Sequence, residues 1–258
     1  MDQSNSFRSS IENGDVVFGT SADTFAPSLV ELYGELGIDF VWLDFEHHGP
    51  SPWDSHVIEN LTRAAELGGT ELLVRVPESD PAMIRKVLDT GVRNILIPRV
   101  DTAEEARTAV EASRYVYQEE PGERGNSTAR TNTWRNVDRY LKTEDEQVCI
   151  GVMIEKATAT DNIEEILSVP DLGFAFIGPS DLSVQMGYPS DKNHPEVHRR
   201  VQEVREKCNA AGIPVGCIKS DPDEATKAID DGYQIVRITS EFGAVQEVVR
   251  DRLNRIRS

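Results

Sequence analysis

The chain has 258 residues, with 45 acidic against 27 basic side chains, a formal net charge of -18, and only seven lysines beside twenty arginines. Such a surface repels nucleic acid and anionic membranes, which are polyanions themselves; it suits an ordinary acidic cytoplasmic enzyme or, by a small preference, one adapted to high salt. No apolar run approaches the ~18 residues of a membrane span, and the polar opening MDQSNSFRSS is no signal peptide, so a soluble cytoplasmic protein is expected.

Short apolar, β-rich runs alternate with amphipathic segments, the pattern of a parallel sheet wrapped by helices. In chain order, strands are expected at Val16 to Thr20, Phe40 to Asp44, Glu71 to Val76, Asn94 to Val100, Val148 to Glu155, Phe174 to Gly178, Pro214 to Ile218 and Ile235 to Thr239. Between the first two, APSLVELYGELG repeats apolar residues at Leu29, Leu32, Tyr33 and Leu36 with helical period; after the third, DPAMIRKVLDTG has an Asp80-Pro81 start and a Gly91 stop. Eight strand and helix units predict an α/β fold, a single (β/α)8 barrel over residues 1–258, a size that such barrels reach as one unit. A doubly wound open sheet is the second choice, although no Gly-rich dinucleotide fingerprint opens any helix. The connection from Asp101 to Gln147 is long and its second half is polar, as in lids and interface segments. Cys149, Cys208 and Cys217 lack metal-ligand spacing and read as reduced packing residues.

In a barrel, strand ends converge at one rim, and three of these strands end in chemistry. FVWLDFEHHGPS stops on Asp44, Glu46, His47 and His48; MIEK delivers Glu155; FIGPSDLS delivers Asp181. Glu155 and Asp181 could share a hard divalent cation, which prefers oxygen ligands and keeps waters. The alternative is a helix cap at Asp181 and an arginine partner for Glu155. Arg75 ends ELLVR among apolar residues, where its charge needs an anion: an acidic substrate, or internal Asp44 or Glu46. Arg99 and Arg237 also lie near strand ends and rank lower. His47 or His48 could serve as general base with Asp44 upstream, or be exposed loop residues. An imine on Lys219 is a weaker possibility; alternation turns Lys156 away if Glu155 faces inward.

The chain resembles the HpcH/HpaI aldolases from about Val16 to Thr239. The likeness rests on FVWLDFEHHGPS; on RVP followed by DPAMIRKVLDTGVRNILIPRVDTAEEAR; on the RG at 124–125 with Ala129, Arg130 and Trp134 behind it; and on IEKATATDNIEEILSVPDLGFAFIGPSDLSVQMGYP with HPEV at 194–197. The resemblance implies a metal-dependent lyase that cleaves 4-hydroxy-2-oxo acids to pyruvate and an aldehyde. It implies a divalent cation (Mg²⁺ or Mn²⁺, with Co²⁺ possible) on Glu155 and Asp181, a catalytic His47 partnered by Asp44, and a substrate arginine at Arg75. It further implies that Asp89 reaches a neighbouring subunit's histidine, and that backbone amides across Gly178, Pro179, Ser180 and Asp181 hold the pyruvate carboxylate. The implied assembly is a homohexamer, a trimer of dimers that exchange a C-terminal helix. Three departures stand out: Met153 where the family usually has Gln, His48 where it has a small residue, and FGTSAD without the usual Trp of the first strand. Acyl-CoA lyases of the same superfamily and a non-catalytic sugar-acid binder are the alternatives.

Overall fold

The computed structural model describes residues 4–126, 130, 140–189 and 191–257; Ala129 and Trp134, quoted above for the resemblance, lie outside them. Eight parallel strands close into a barrel: β1 (Val17–Ser21), β2 (Phe40–Asp44), β3 (Glu71–Arg75), β4 (Asn94–Ile97), β5 (Cys149–Ile154), β6 (Leu172–Ile177), β7 (Val215–Ile218) and β8 (Ile235–Ser240). Each strand pairs with its neighbours in sequence, and β1 pairs with both β2 and β8. This is the expected (β/α)8 architecture, with strand ends shifted by up to three residues from the sequence reading, the fourth strand stopping at Ile97 rather than Val100.

Among the described residues the helices are α1 (Ser6–Glu12), α2 (Pro27–Glu35), α3 (Ser55–Gly68), α4 (Pro81–Leu88), α5 (Ala103–Ala112), α6 (Tyr140–Gln147), α7 (Ala157–Asp161), α8 (Ile163–Leu167), α9 (Pro179–Gln185), α10 (Pro195–Ala211), α11 (Pro222–Asp230) and α12 (Glu241–Arg257). None is long and apolar enough to cross a membrane. Part of the long connection after β4 is the barrel's own helix α5, and Val116–Tyr117 pairs with Glu120–Pro121 as a small antiparallel hairpin.

Strand alternation divides the core in two. Val41, Leu43, Val74, Ile95 and Ile97 face outward into the helical layer, while Phe40, Trp42, Leu73, Leu96, Met153, Phe174, Phe176 and Ile235 fill the barrel. Three glycines make room for the interior rings: a Cβ at Gly19, Gly151 or Gly216 would overlap Phe40, Phe174 or Phe176 respectively. Helix α1, which the sequence reading left as a polar opening, plugs the barrel floor. Its Phe7 meets Phe40 and Phe174 edge-on, at ring centroids 5.4 and 5.6 Å, a burial that stabilises by roughly 2–3 kcal/mol.

Helix α4 forms as expected, with the Asp80 carboxylate accepting the Ala82 N–H at 2.8 Å. Helix α2 differs in its buried face. Val30 is inside, whereas Leu32 and Leu36 are exposed. The cause is Gly34, which lets α2 lie directly against Gly68 of α3, so that close backbone approach sets the rotation rather than the leucine stripe. The three cysteines are free and buried, and burial pushes each thiol up to about 12.

Candidate active site

The C-terminal mouth of the barrel gathers the titratable strand ends. Inward alternation along β2 (Phe40, Trp42, Asp44) and β3 (Leu73, Arg75) brings Asp44 beside Arg75, its registered partner. The guanidinium donates to the carboxylate through two bonds, Nε to Oδ1 at 2.9 Å and Nη2 to Oδ2 at 2.6 Å. Nη1 lies 2.9 Å from Glu46 Oε2 and 3.5 Å from Met153 Sδ. Arg75 is thus buried between two acids and paired with both Asp44 and Glu46. Burial alone would raise Asp44; the Arg75 bonds and charge, with the N–H groups of Glu46 and His47, instead hold its carboxyl below the usual carboxylate range.

Asp44 meets His47 through the histidine's backbone N–H, at 3.4 Å to Oδ1, and not through the ring. The imidazole Nε2 stands 3.6 Å from Glu46 Oε2 and its side chain is 60% exposed. Phe45 anchors this loop by packing on Phe25 at 5.2 Å. His48 is exposed.

Glu155 follows β5 and is 3% exposed. Its Oε1 accepts the Arg99 N–H at 2.8 Å. Arg99 takes φ +56°, a left-handed conformation that costs a non-glycine residue about 1 kcal/mol or more. This strain aims an amide at the carboxylate. Burial first, then the charges of Glu46 and Asp181, push Glu155 up to about 7, against the Arg99 bond and the Arg75 charge. Glu46 is raised as well, by burial with help from Asp44 and Asp181, against the charge of Arg75 paired at its Oε2. Glu46 therefore acts with Asp181 on the Glu155 carboxyl while pairing with Arg75; the sequence reading placed it at the strand end and as a possible partner of Arg75. A residue larger than Gly178 would not leave this group intact, since a Cβ there would stand 2.9 Å from Glu155 Cβ and 3.0 Å from its Oε2.

Asp181 lies in the first turn of α9 and is exposed. Of the amides expected across this turn, Gly178 spends its N–H on Ile154 O at 3.0 Å, and Pro179 has none. Ser180 and Asp181, as first-turn residues, keep donors without an intrahelical partner. Asp89 is the C-cap of α4. Because barrel helices run back against their strands, this places it at the floor, where Arg130 donates to Thr90 O and pairs with Glu66 at 2.8 Å. It does not join the mouth residues of its own chain. Lys156 turns outward onto Asp101, and Lys219 pairs with Glu224 at 3.2 Å; neither is an unpaired amine in an apolar pocket.

A family profile described as HpcH/HpaI aldolase/citrate lyase matches residues 19–247. The chain belongs to this family. It is 32% identical over 255 residues to the 2-keto-3-deoxy-L-rhamnonate aldolase of Salmonella gallinarum, covering 99% of this chain and 94% of that one. Among solved structures, an HpcH/HpaI aldolase/citrate lyase family protein from Burkholderia cenocepacia J2315 superposes with a TM-score of 0.91 at 28% identity, covering 99% of this chain and 100% of that one. The HpcH/HpaI aldolase from Desulfitobacterium hafniense DCB-2 follows at 0.88 and 26%, covering 97% and 96%. As an HpcH/HpaI family member the chain is an enzyme, a lyase of the aldolase kind, and this family of aldolases generally works with a divalent metal.

Proposed function

We propose that this lyase reversibly cleaves a 4-hydroxy-2-oxo acid, of the 2-keto-3-deoxy sugar-acid class or a related diacid, to pyruvate and an aldehyde. The observation that carries the reading is the Glu155 carboxylate, buried and raised to about 7 beside Glu46 and Asp181, with a backbone amide as its hydrogen-bond donor. An acidic group that cannot comfortably ionise by itself suits a small dication, and its oxygen donors fit Mg²⁺, Mn²⁺ or Co²⁺ better than softer metals. Glu155 and Asp181 would hold it. When bound, such an ion supplies Lewis acidity toward the keto and carboxylate oxygens of a 2-oxo acid.

The chain's own groups do the rest. Arg75, already oriented by Asp44, presents fixed positive charge where the enolate oxygen develops as the C3–C4 bond breaks. Donors at Ser180 and Asp181 suit the pyruvate carboxylate. His47 takes the proton of the C4 hydroxyl, and its exposed ring, near Glu46, leaves room for the partner residue that completes it. Asp89 suits that part in a neighbouring copy, since it stands away from the mouth of its own barrel. An assembly of copies, a homohexamer of exchanged dimers, is supported by α12, which exposes Phe242, Val245, Val249, Leu253 and Ile256 along one side. Three free cysteines suit the cytoplasm.

Pyruvate release from a panel of 2-keto-3-deoxy sugar acids and 4-hydroxy-2-oxo diacids tests the reaction. The expected result is release from at least one, with no borohydride-trapped adduct; a pyruvate adduct on Lys219, or no pyruvate from any of them, overturns it.

A further inference from the structure

Strands β4 and β5 stay in register up to Ile97 opposite Val152. Beyond that point side chains join the two segments. The Arg99 N–H donates to Glu155 Oε1 at 2.8 Å, and Lys156, the next residue after Glu155, donates from Nζ to Asp101 Oδ2. Lys156 is still extended, at φ -126° and ψ 153°, so it and Glu155 point to opposite sides. The same two segments are thus tied twice, once at the buried carboxylate and once on the outer side.

What the outer tie holds in place is a strained turn. Arg99 has φ +56°, a conformation that persists only where the surroundings over-determine it. Asp101, two residues on, is where that restraint gathers. Its N–H and that of Thr102 donate to Glu105 Oε2 at 2.7 and 3.0 Å, and its carbonyl accepts from Asn162 Nδ2 at 2.9 Å, which fixes it to the helical layer. The Lys156 ion pair is the bond that returns from Asp101 to the segment bearing Glu155. Asp101 Oδ1 is buried with no hydrogen-bond partner, so without Lys156 the carboxylate would have to turn toward water and carry the turn with it. The paired side chains are 22% and 21% exposed, and an ion pair so placed adds little to stability. Its consequence is geometric. The Arg99 amide sets the rotation of the Glu155 carboxyl, whose Oε2 stands toward Gly178, where a Cβ would come within 3.0 Å of it.

We propose that Lys156 and Asp101 are positioning residues for the metal site: their ion pair holds Arg99 in its left-handed conformation and so keeps the Glu155 carboxylate turned to receive the dication. This rests on the reading of Glu155 as a ligand of the ion and adds the support behind it.

The test measures Mn²⁺ affinity directly, from the electron paramagnetic resonance signal of the free ion over chelator-stripped protein, with circular dichroism to check that each variant is folded. Lys156→Met is expected to raise the Kd by about 10- to 100-fold, the usual loss when the support behind a metal ligand is removed. Lys156→Arg is expected to restore most of the affinity. Asp101→Asn should weaken binding by a similar factor, and the double variant should lose no more than either single one, because both remove the same brace. Charge alone predicts a different pattern. Removing a cation near the site would tighten Mn²⁺ binding and removing an anion would loosen it, so opposite signs in the two single variants overturn the proposal. An unchanged Kd in Lys156→Met, or losses that multiply in the double variant, overturn it as well; Lys156→Gln takes the place of the Met variant should that one not fold. Wild-type protein that binds no Mn²⁺, or a Glu155→Gln variant that binds it equally well, removes the metal-site reading and the brace together, whereas a sound wild-type site with unaffected Lys156 variants removes the brace alone.

Discussion

At the scale of single residues, the mouth of the barrel is a balance between one clamped arginine and a group of acids. The side chain of Arg75 carries the charge, whereas Arg99 contributes through its backbone N–H, which any residue but proline keeps. Arg75→Ala should therefore cost about 10²- to 10³-fold in kcat/KM, in line with loss of a donor aimed at developing oxyanion charge. Arg99→Ala should cost under about tenfold, and equal losses in the two variants would refute the clamp. Glu155 yields a second expectation. Its folded pKa of about 7 lies above the usual carboxylate value, so the metal-free folded state binds the extra proton between the two. Stability of metal-free protein must then fall as pH rises through that window. Glu155→Gln should remove the cost, stabilising the metal-free chain at pH 8 by about 2 kcal/mol while abolishing activity. Thermal unfolding across pH reads this directly; a variant less stable than wild type at pH 8 would contradict it.

At the scale of elements, strands were legible because each β-rich run ends abruptly on charge, proline or glycine, as FVWLD does before Phe45 and Glu46. Glu155, Asp181 and Arg75 could be placed for the same reason. Other features depend on contacts distant in sequence. In α1, SFRSSIE has two apolar residues, Phe7 and Ile11, one turn apart, too few to mark a core helix, and only the closed barrel gives them a floor to seal. The rotation of α2 depends on Gly34 meeting Gly68. Glu46 enters the site because the turn after β2 brings it back over Arg75, and strand periodicity does not extend into a turn. Helix α12 carries the prediction at this scale. With Val249 half-exposed on its apolar side, Val249→Glu should leave the barrel folded and lower the mass of the assembly in sedimentation. An unchanged mass would show that α12 does not join the copies.

Over the whole molecule, a formal charge of -18 spread over a single barrel makes the compact state repel itself. Salt screens that repulsion, the Debye length falling from ~10 Å at 0.1 M to ~3 Å at 1 M. The melting temperature should rise by several degrees between about 0.1 M and about 2 M KCl. A flat or falling melting temperature would contradict salt adaptation and leave the acidity an ordinary solvating coat. The same acidity converges at the mouth, where the charges of Glu46 and Asp181 help to push the Glu155 carboxyl up.

The most direct measurement follows pyruvate release by enzyme stripped with chelator and then titrated with Mg²⁺ or Mn²⁺, in the wild type and in Glu155→Gln and Asp181→Asn. With the ion held by Glu155 and Asp181, activity is expected to be lost on stripping, restored by the ion in the wild type, and not restored in either variant. Full activity in the stripped wild-type enzyme, or restoration in both variants at the same ion concentration, would contradict it.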